Sequence, residues 1–506
     1  MPAPTHLSSI SRVFFLAGAA FLGQGSCRAQ DVPDRFGPAE EYVLRGLENG
    51  EEVDLDRPFP KKTDQTLNPI FLEKLLAGSF KDATLDRRGI KIHHAVFDQP
   101  VYVSHVTVPY EVWLNDCTFL KEVDFGGSHF EKDFSLERSR FETPPGQPAG
   151  SVSLISMVVA GDLVLRGARF ESTVDVTGST IGGRLIGDDA EFLNPDMSAD
   201  LEDVHVDDGL LLRKAKFQGP VSVANGVVRD LYLERAQGKV VELDLSQAEI
   251  KRALRIAQTL VQNLNAASMS AKGSVVLQDL VVSDRLVLKH VDVHALELLS
   301  VKPPSVASNF QIDGMSFEHV ATGDSGNSWQ ELYKFVDASA FNSQSYMQLE
   351  AYFRAQGYAD RANSVYIAMR RKERKQFLSI WSTAYWLSLA LDGLVRYGRA
   401  PGWALVYSLA VVGLGVLVFW KRENMEPQKK EDADKPYSPF WYSVDLLTPF
   451  IDLQSANVWM LNKTWRAGTE YAPDTPGCGL DSRTDRNRGD LASYQVILGG
   501  AFSRLG

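Results

Sequence analysis

The sequence predicts a mainly β protein: a right-handed β-solenoid with helical caps, then an αα-hairpin and a C-terminal transmembrane helix. Three observations carry that prediction. Paired apolar residues recur every eleven positions, a small-x-Phe motif recurs at the same step, and residues 402–420 (GWALVYSLAVVGLGVLVFW) hold no charge. A chain of 506 residues has room for two or more structural units. With 44% hydrophobic and 23% charged residues and a mean hydropathy of -0.15, any membrane part must be small. The net charge of -11 excludes binding that works by neutralising nucleic-acid phosphates, which requires a basic stripe. Three cysteines, one of them Cys27 near the N-terminus, rule out a disulfide framework or a cysteine-based zinc site.

Residues 1–29 read as a secretory signal peptide. Arg12 precedes an apolar run over residues 13–22, and Cys27 and Ala29 are small residues suited to cleavage after Ala29. A lipid-attachment box fits less well, because Gln24 stands where an aliphatic residue is required. Residues 30–83 are expected to form an N-terminal cap: residues 39–49 and 69–78 have helical spacing, with Phe71, Leu72, Leu75 and Leu76 on one face.

The repeat over residues 84–320 starts with Ile90/Ile92, Val101/Val103, Val112/Leu114, Val123/Phe125 and Phe134/Leu136. Phe97, Val108, Phe119, Phe130 and Phe141 keep the same step. Two apolar side chains separated by one residue share one face of a strand, since side chains alternate with period two. Such strands cannot bury a face alone but can stack coil upon coil. Two units make a coil of twenty-two residues, giving roughly nine or ten coils and a rod about 45 Å long at ~4.8 Å per strand. Pro144 and Pro145 interrupt the phase in an extruded loop. Trp329, Leu332, Phe335 and Val336 open a helical region placed to cover the last coil.

Residues 327–378 read as an αα-hairpin broken at Gly357. Its second helix ends in the basic run Arg370, Arg371, Lys372, Glu373, Arg374 and Lys375, which lies just before an apolar segment and so suits lipid headgroups. Within residues 379–420, the stretch 380–395 carries Asp392 and reads as interfacial. Residues 402–420, bracketed by Trp403 and Trp420, read as a transmembrane helix. Residues 421–506 comprise a charged linker, an apolar segment over 440–453 of re-entrant or interfacial type, and a polar tail. A cleaved leader places the solenoid outside the cytoplasm, whereas the basic run then opposes the positive-inside tendency; the leader carries the greater weight.

The search for chemistry finds no catalytic, cofactor or metal set. Asp124, Asp133, Asp188-Asp189 and Asp207-Asp208 read as turn or outward carboxylates. His93, His94, His105, His290 and His294 read as surface residues, with His94 and His105 on different sides of the rod. No P-loop, Gly-x-Gly-x-x-Gly, Gly-x-Ser-x-Gly or His-Glu-x-x-His stands in a supporting context.

The small-x-Phe and paired apolar repeat resembles a degenerate pentapeptide-repeat β-solenoid, and the layout of residues 40–460 resembles bacterial membrane-anchored pentapeptide-repeat proteins. The matching segments include Tyr352-Phe353-Arg354-x-x-Gly357, Tyr397-Gly398-Arg399-Ala400-Pro401 and Ser443-Val444-Asp445-Leu446-Leu447-x-Pro449. Some similar proteins are labelled oxidoreductases, and no cofactor site here matches that label. Others end in a two-span channel module, but this chain lacks its Thr-Val-Gly-Tyr-Gly filter. Taken together, the resemblance and the search for chemistry point to a scaffold or binding protein of the bacterial inner membrane with no catalytic site evident, and the leader places its solenoid in the periplasm. Membrane lipids would be contacted by Trp403, Trp420, Arg370, Arg371 and Lys372. A protein partner or envelope polymer would bind the solenoid, and the chain is open to oligomerisation. An ion-channel-like or transporter-accessory role and a carbohydrate-active enzyme are the alternatives.

Overall fold

The computed structural model describes residues 36–80, 85–143, 150–320, 328–400, 402–427, 429, 436–447 and 458–461. The expected leader, the Pro144-Pro145 loop and the polar tail lie outside them. The chain divides into two compact units, with the division between Tyr352 and Phe353.

The first unit is a parallel β-solenoid of about 10 turns. Ile90 pairs with Val112 and Val112 with Phe134, so one coil takes twenty-two residues, the sum of two eleven-residue units. Each early coil has four short faces. The first begins with strands Ile90–His93 and Val112–Asn115, the second with Val96–Phe97, the third with Val101–Tyr102 and the fourth with Thr107–Val108. The paired apolar residues point inward and are almost fully buried. On the second face Phe97, Phe119, Phe141, Phe170, Phe192 and Phe217 form one column. Neighbouring rings lie 4.7–5.3 Å apart with planes within 16° of parallel. Strand stacking at ~4.8 Å sets that spacing, so a Phe in fixed register must stack on its neighbours.

A corner in the left-handed backbone region recurs at the eleven-residue step. His94 (φ 60°), His105 (φ 59°), Asp116 (φ 56°) and Arg138 (φ 55°) occupy it, with Gly127 between them. This conformation costs a non-glycine residue about 1–2 kcal/mol. Each of these corner N–H groups donates to the next coil: His105 to the Gly126 carbonyl at 3.0 Å, Asp116 to Glu137 at 2.9 Å and Arg138 to Arg166 at 2.9 Å. A serine often follows the corner and links two coils. The Ser139 hydroxyl donates to the Leu114 carbonyl at 2.6 Å and accepts the Cys117 N–H at 3.0 Å; Ser128 and Ser179 repeat the pattern.

From His205 onward the cross-section changes. The fourth and first faces merge into single strands, among them His205–Leu211, Val227–Glu234, Glu249–Ala257, Ser270–Gln278 and Asp292–Leu299. Across from them run Lys239–Asp244, Leu260–Asn265 and Val281–Val287. Before the change, carboxylates take N–H groups at the corner that precedes the first face: Asp133 accepts from Asp162, and Asp162 from Arg184, both at 2.8 Å. In the next coil Gly209 takes the register of Asp162 and Arg184, and the Asp208 N–H donates to the Gly183 carbonyl at 3.1 Å, as the Gly183 N–H does to Gly161 at 2.9 Å.

Both ends are covered. Helices α1 (Pro38–Glu48) and α2 (Pro69–Leu76) flank a strand, Val53–Asp54, that pairs with Ile92 and His93 of the first coil. The predicted cap residues Phe71, Leu72, Leu75 and Leu76 are buried. At the far end, α3 (Ser328–Ala338) packs Phe335 edge-on against Phe310, and the Ala340 N–H donates to the Phe310 carbonyl at 2.8 Å. Helix α4 (Ser343–Ala355) follows.

In the second unit, Gly357 (φ 81°) ends the α4 backbone. Tyr358 N–H bonds to the Phe353 carbonyl and Gly357 N–H to Arg354, the paired bonds of a left-handed helix cap. Then come α5 (Ala359–Phe377), α6 (Thr383–Val395), α7 (Gly402–Val418) and α8 (Pro439–Leu447). The nineteen-residue transmembrane span expected over residues 402–420 is a helix of 17 residues, about 26 Å long at 1.5 Å per residue. It ends at Val418, the chain turns extended at Lys421, and the Tyr437 hydroxyl donates to the Phe419 carbonyl at 2.7 Å. Among the described residues no helix is long and apolar enough to cross a membrane.

Candidate functional site

The carboxylates on the solenoid serve its turns. Asp124, Asp175, Asp200 and Asp244 fall in one row along the third face. Each accepts the N–H two residues ahead, at 2.8–3.1 Å. Burial raises the pKa of Asp200, the neighbouring Glu202 and Asp175 adding to it, while its hydrogen bond from the Glu202 N–H opposes. Asp133 holds the Asp162 N–H, and Asp188 is buried and clasped by Arg213 at 2.5 Å. Asp189 lies at a left-handed corner, Asp207 meets His205 at 2.9 Å and Asp208 faces Arg229 at 3.6 Å. A carboxylate held by the backbone in this way is poorly placed to shuttle protons. Cys117 is also spoken for: burial pushes its thiol up to about 12, far from the reactive thiolate.

The histidines fall into two groups. His94 and His105 occupy corners of successive half-coils, before the second and fourth faces, as the spacing anticipates. The His105 ring lies where a Cβ on Gly127 would sit, and the His290 ring covers Gly314 in the same manner. His93 Nδ1 lies 3.4 Å from Asp116, which also receives Arg138 through two 2.8 Å bonds. His294 is different. It sits inside the strand Asp292–Leu299, not at a strand end, and faces Glu318 and His319 of strand Ser316–Val320. The sequence signal was there, since positions 318 and 319 follow 294 by about one coil.

The basic run predicted to meet lipid is largely engaged inside its own unit. Arg371 clasps Asp392 through bonds of 2.8–3.1 Å, and Arg374 reaches Asp392 at 3.1 Å, the Tyr397 hydroxyl at 3.0 Å and the Ser388 carbonyl at 3.2 Å. Burial raises the pKa of Asp392, but the two guanidiniums outweigh it and hold the carboxyl below its ordinary value. Arg370 bonds Glu373 and Tyr366, and Lys372 is half-buried. A charge in the apolar segment of residues 380–395 is therefore a tie between α5 and α6.

What the second unit leaves outside is apolar. On α7, Leu405, Leu409, Leu414 and Leu417 are 62–70% exposed, and Trp403 and Trp420 lie exposed near its two ends. Trp381, Trp386, Leu387 and Leu394 around α6, and Phe440 and Trp441 on α8, are exposed as well. Helices α7 and α8 approach closely where a Cβ on Gly415 would meet Ser443 Oγ at 2.6 Å. Met425, Tyr442 and Trp459 form a small core beside them. Exposed large apolar residues are therefore concentrated on these helices. No family model, curated protein or solved structure matches the chain.

Proposed function

We propose that the chain is a membrane-attached scaffold of the bacterial envelope, of the pentapeptide-repeat kind. The second unit would hold the membrane, and the solenoid would present its flat faces to a protein or envelope polymer. The exposed leucines of α7 carry this reading. At about 26 Å the helix is a few ångströms shorter than a ~30 Å hydrocarbon core, a mismatch met by local thinning and by snorkelling of Arg399, Lys421 and Arg422. Helix α6, with Asp392 turned toward α5, would lie in the interface beside it, where Trp381 and Trp386 suit headgroup depth. Periplasmic placement of the solenoid rests on the leader-like residues 1–29 alone.

Flotation of the full chain with phosphatidylglycerol and phosphatidylethanolamine vesicles tests the attachment. The protein should float and resist carbonate extraction, and Leu409→Glu with Leu414→Glu should return it to the soluble fraction with its β-sheet circular dichroism intact. Wild-type protein that stays at the bottom of the gradient ends the proposal.

A further inference from the structure

We propose that His294, Glu318 and His319 bind one divalent transition-metal ion of the zinc class, tying the last strand of the solenoid to its neighbour. The three ligand atoms lie within 4.8 Å of one another, and His294 Nδ1 is 2.8 Å from Glu318 Oε2. The two imidazoles meet edge to face with centroids 5.1 Å apart. An exposed ion pair needs one histidine and one carboxylate; the second imidazole turned onto the pair completes the two-nitrogen, one-oxygen donor set that suits zinc and leaves a position for water.

Local backbone geometry explains how adjacent Glu318 and His319 both face outward, against the usual alternation of a strand. The merged face bends at the former corner, so that between inward-facing Val293 and Leu296 two residues turn outward; Glu318 and His319 lie between Phe317 and Val320 in the same way. Val293 pairs with Phe317 and Leu296 with Val320, which brings the two bends level. A tetrahedral site needs donor atoms roughly 3.3–3.5 Å apart, and the three ligand atoms already lie within 4.8 Å of one another on exposed side chains. The cation on the preceding strand, Lys272, is drawn away by Glu249. Strand Ser316–Val320 pairs with one neighbouring strand only among the described residues, its Val320 N–H going to the Tyr352 hydroxyl at 3.1 Å, so a metal here would add a second tie between the edge strand and its neighbour.

The full chain, stripped with chelator, is titrated with zinc by calorimetry and with cobalt by visible absorption. One equivalent should bind, the cobalt form should show the strong bands of a tetrahedral site, and thermal unfolding should move upward with zinc. His294→Ala and His319→Ala should each weaken binding tenfold or more, while His205→Ala, which alters a histidine paired with Asp207, should leave it unchanged. His319→Gln replaces His319→Ala should the latter fold poorly. Undiminished one-equivalent binding in folded His294 and His319 variants, or no saturable zinc binding by the wild type, overturns the proposal.

Discussion

The coils before residue 205 and those after it share a period but not a cross-section. In the first half, four short faces meet at corners where Asp133 and Asp162 capture backbone N–H groups, and one side is filled by a column of phenylalanines, five before residue 205 and a last one at Phe217. In the second half strands reach nine residues, and the column ends where Gly238, next to the Gln237 that bridges Lys216, follows Phe217. Outward residues follow suit: the flattened half carries the charged bend row that ends in the histidine cluster.

Paired deletions in the two halves give the largest test of this contrast. Phe170→Ala empties a site between Phe141 and Phe192 and should cost about 3–5 kcal/mol in urea unfolding. Val261→Ala, in the interior row formed with Val240 and Val282, should cost about 1–2 kcal/mol; equal losses would mean that the aromatic column does not dominate the first half. Ser139→Ala comes next. It leaves the Cys117 N–H and Leu114 carbonyl unpaired in the interior, which predicts a loss of about 1–3 kcal/mol and faster amide exchange at Cys117; unchanged exchange there would show that the serine link is dispensable. The smallest effect is electrostatic. The hydrogen bond from Arg138 holds the Asp116 carboxyl below its ordinary value, against opposing burial and with help from His93. A lowered carboxyl contributes stability that is complete above about pH 3.9 and is lost as the pH falls through the lower folded-state value. Because Arg138 is half exposed, the contribution is at most ~1 kcal/mol. In Asp116→Asn that acid-side slope should flatten slightly, as followed by unfolding between pH 5 and 2.

Much of the first unit was legible because its signal repeats: the paired apolar residues, the Phe step and the capping helices each stand where the period puts them. The left-handed corners were not, since His, Asp, Arg and Ser occupy them as readily as Gly once the next coil receives their N–H. The merging of faces was hidden too, since the paired apolar residues Leu210/Leu212, Leu231/Leu233 and Leu254/Ile256 keep their spacing through it. In the second unit, Arg371 and Arg374 looked like lipid contacts because their partner, Asp392, becomes visible only when α5 and α6 pack. The apolar run over residues 402–420 was evident, but not that its helix ends at Val418 or that Tyr437, eighteen residues beyond Phe419, bonds the Phe419 carbonyl.

Between Phe134 and Leu163 the coil holds twenty-nine residues rather than twenty-two, yet Val152 still pairs with Val123 and Phe170 with Phe141. Seven additional residues are thus absorbed at one corner without shifting any column. The tube behaves as a ruler with an independent attachment: its length can change only by whole coils, about 4.8 Å each, whereas between Phe141 and Val152 seven more residues leave the register intact. Whole-coil deletions and corner insertions are accordingly separate routes by which such a chain can alter its reach and its binding surface, and neither need disturb the other.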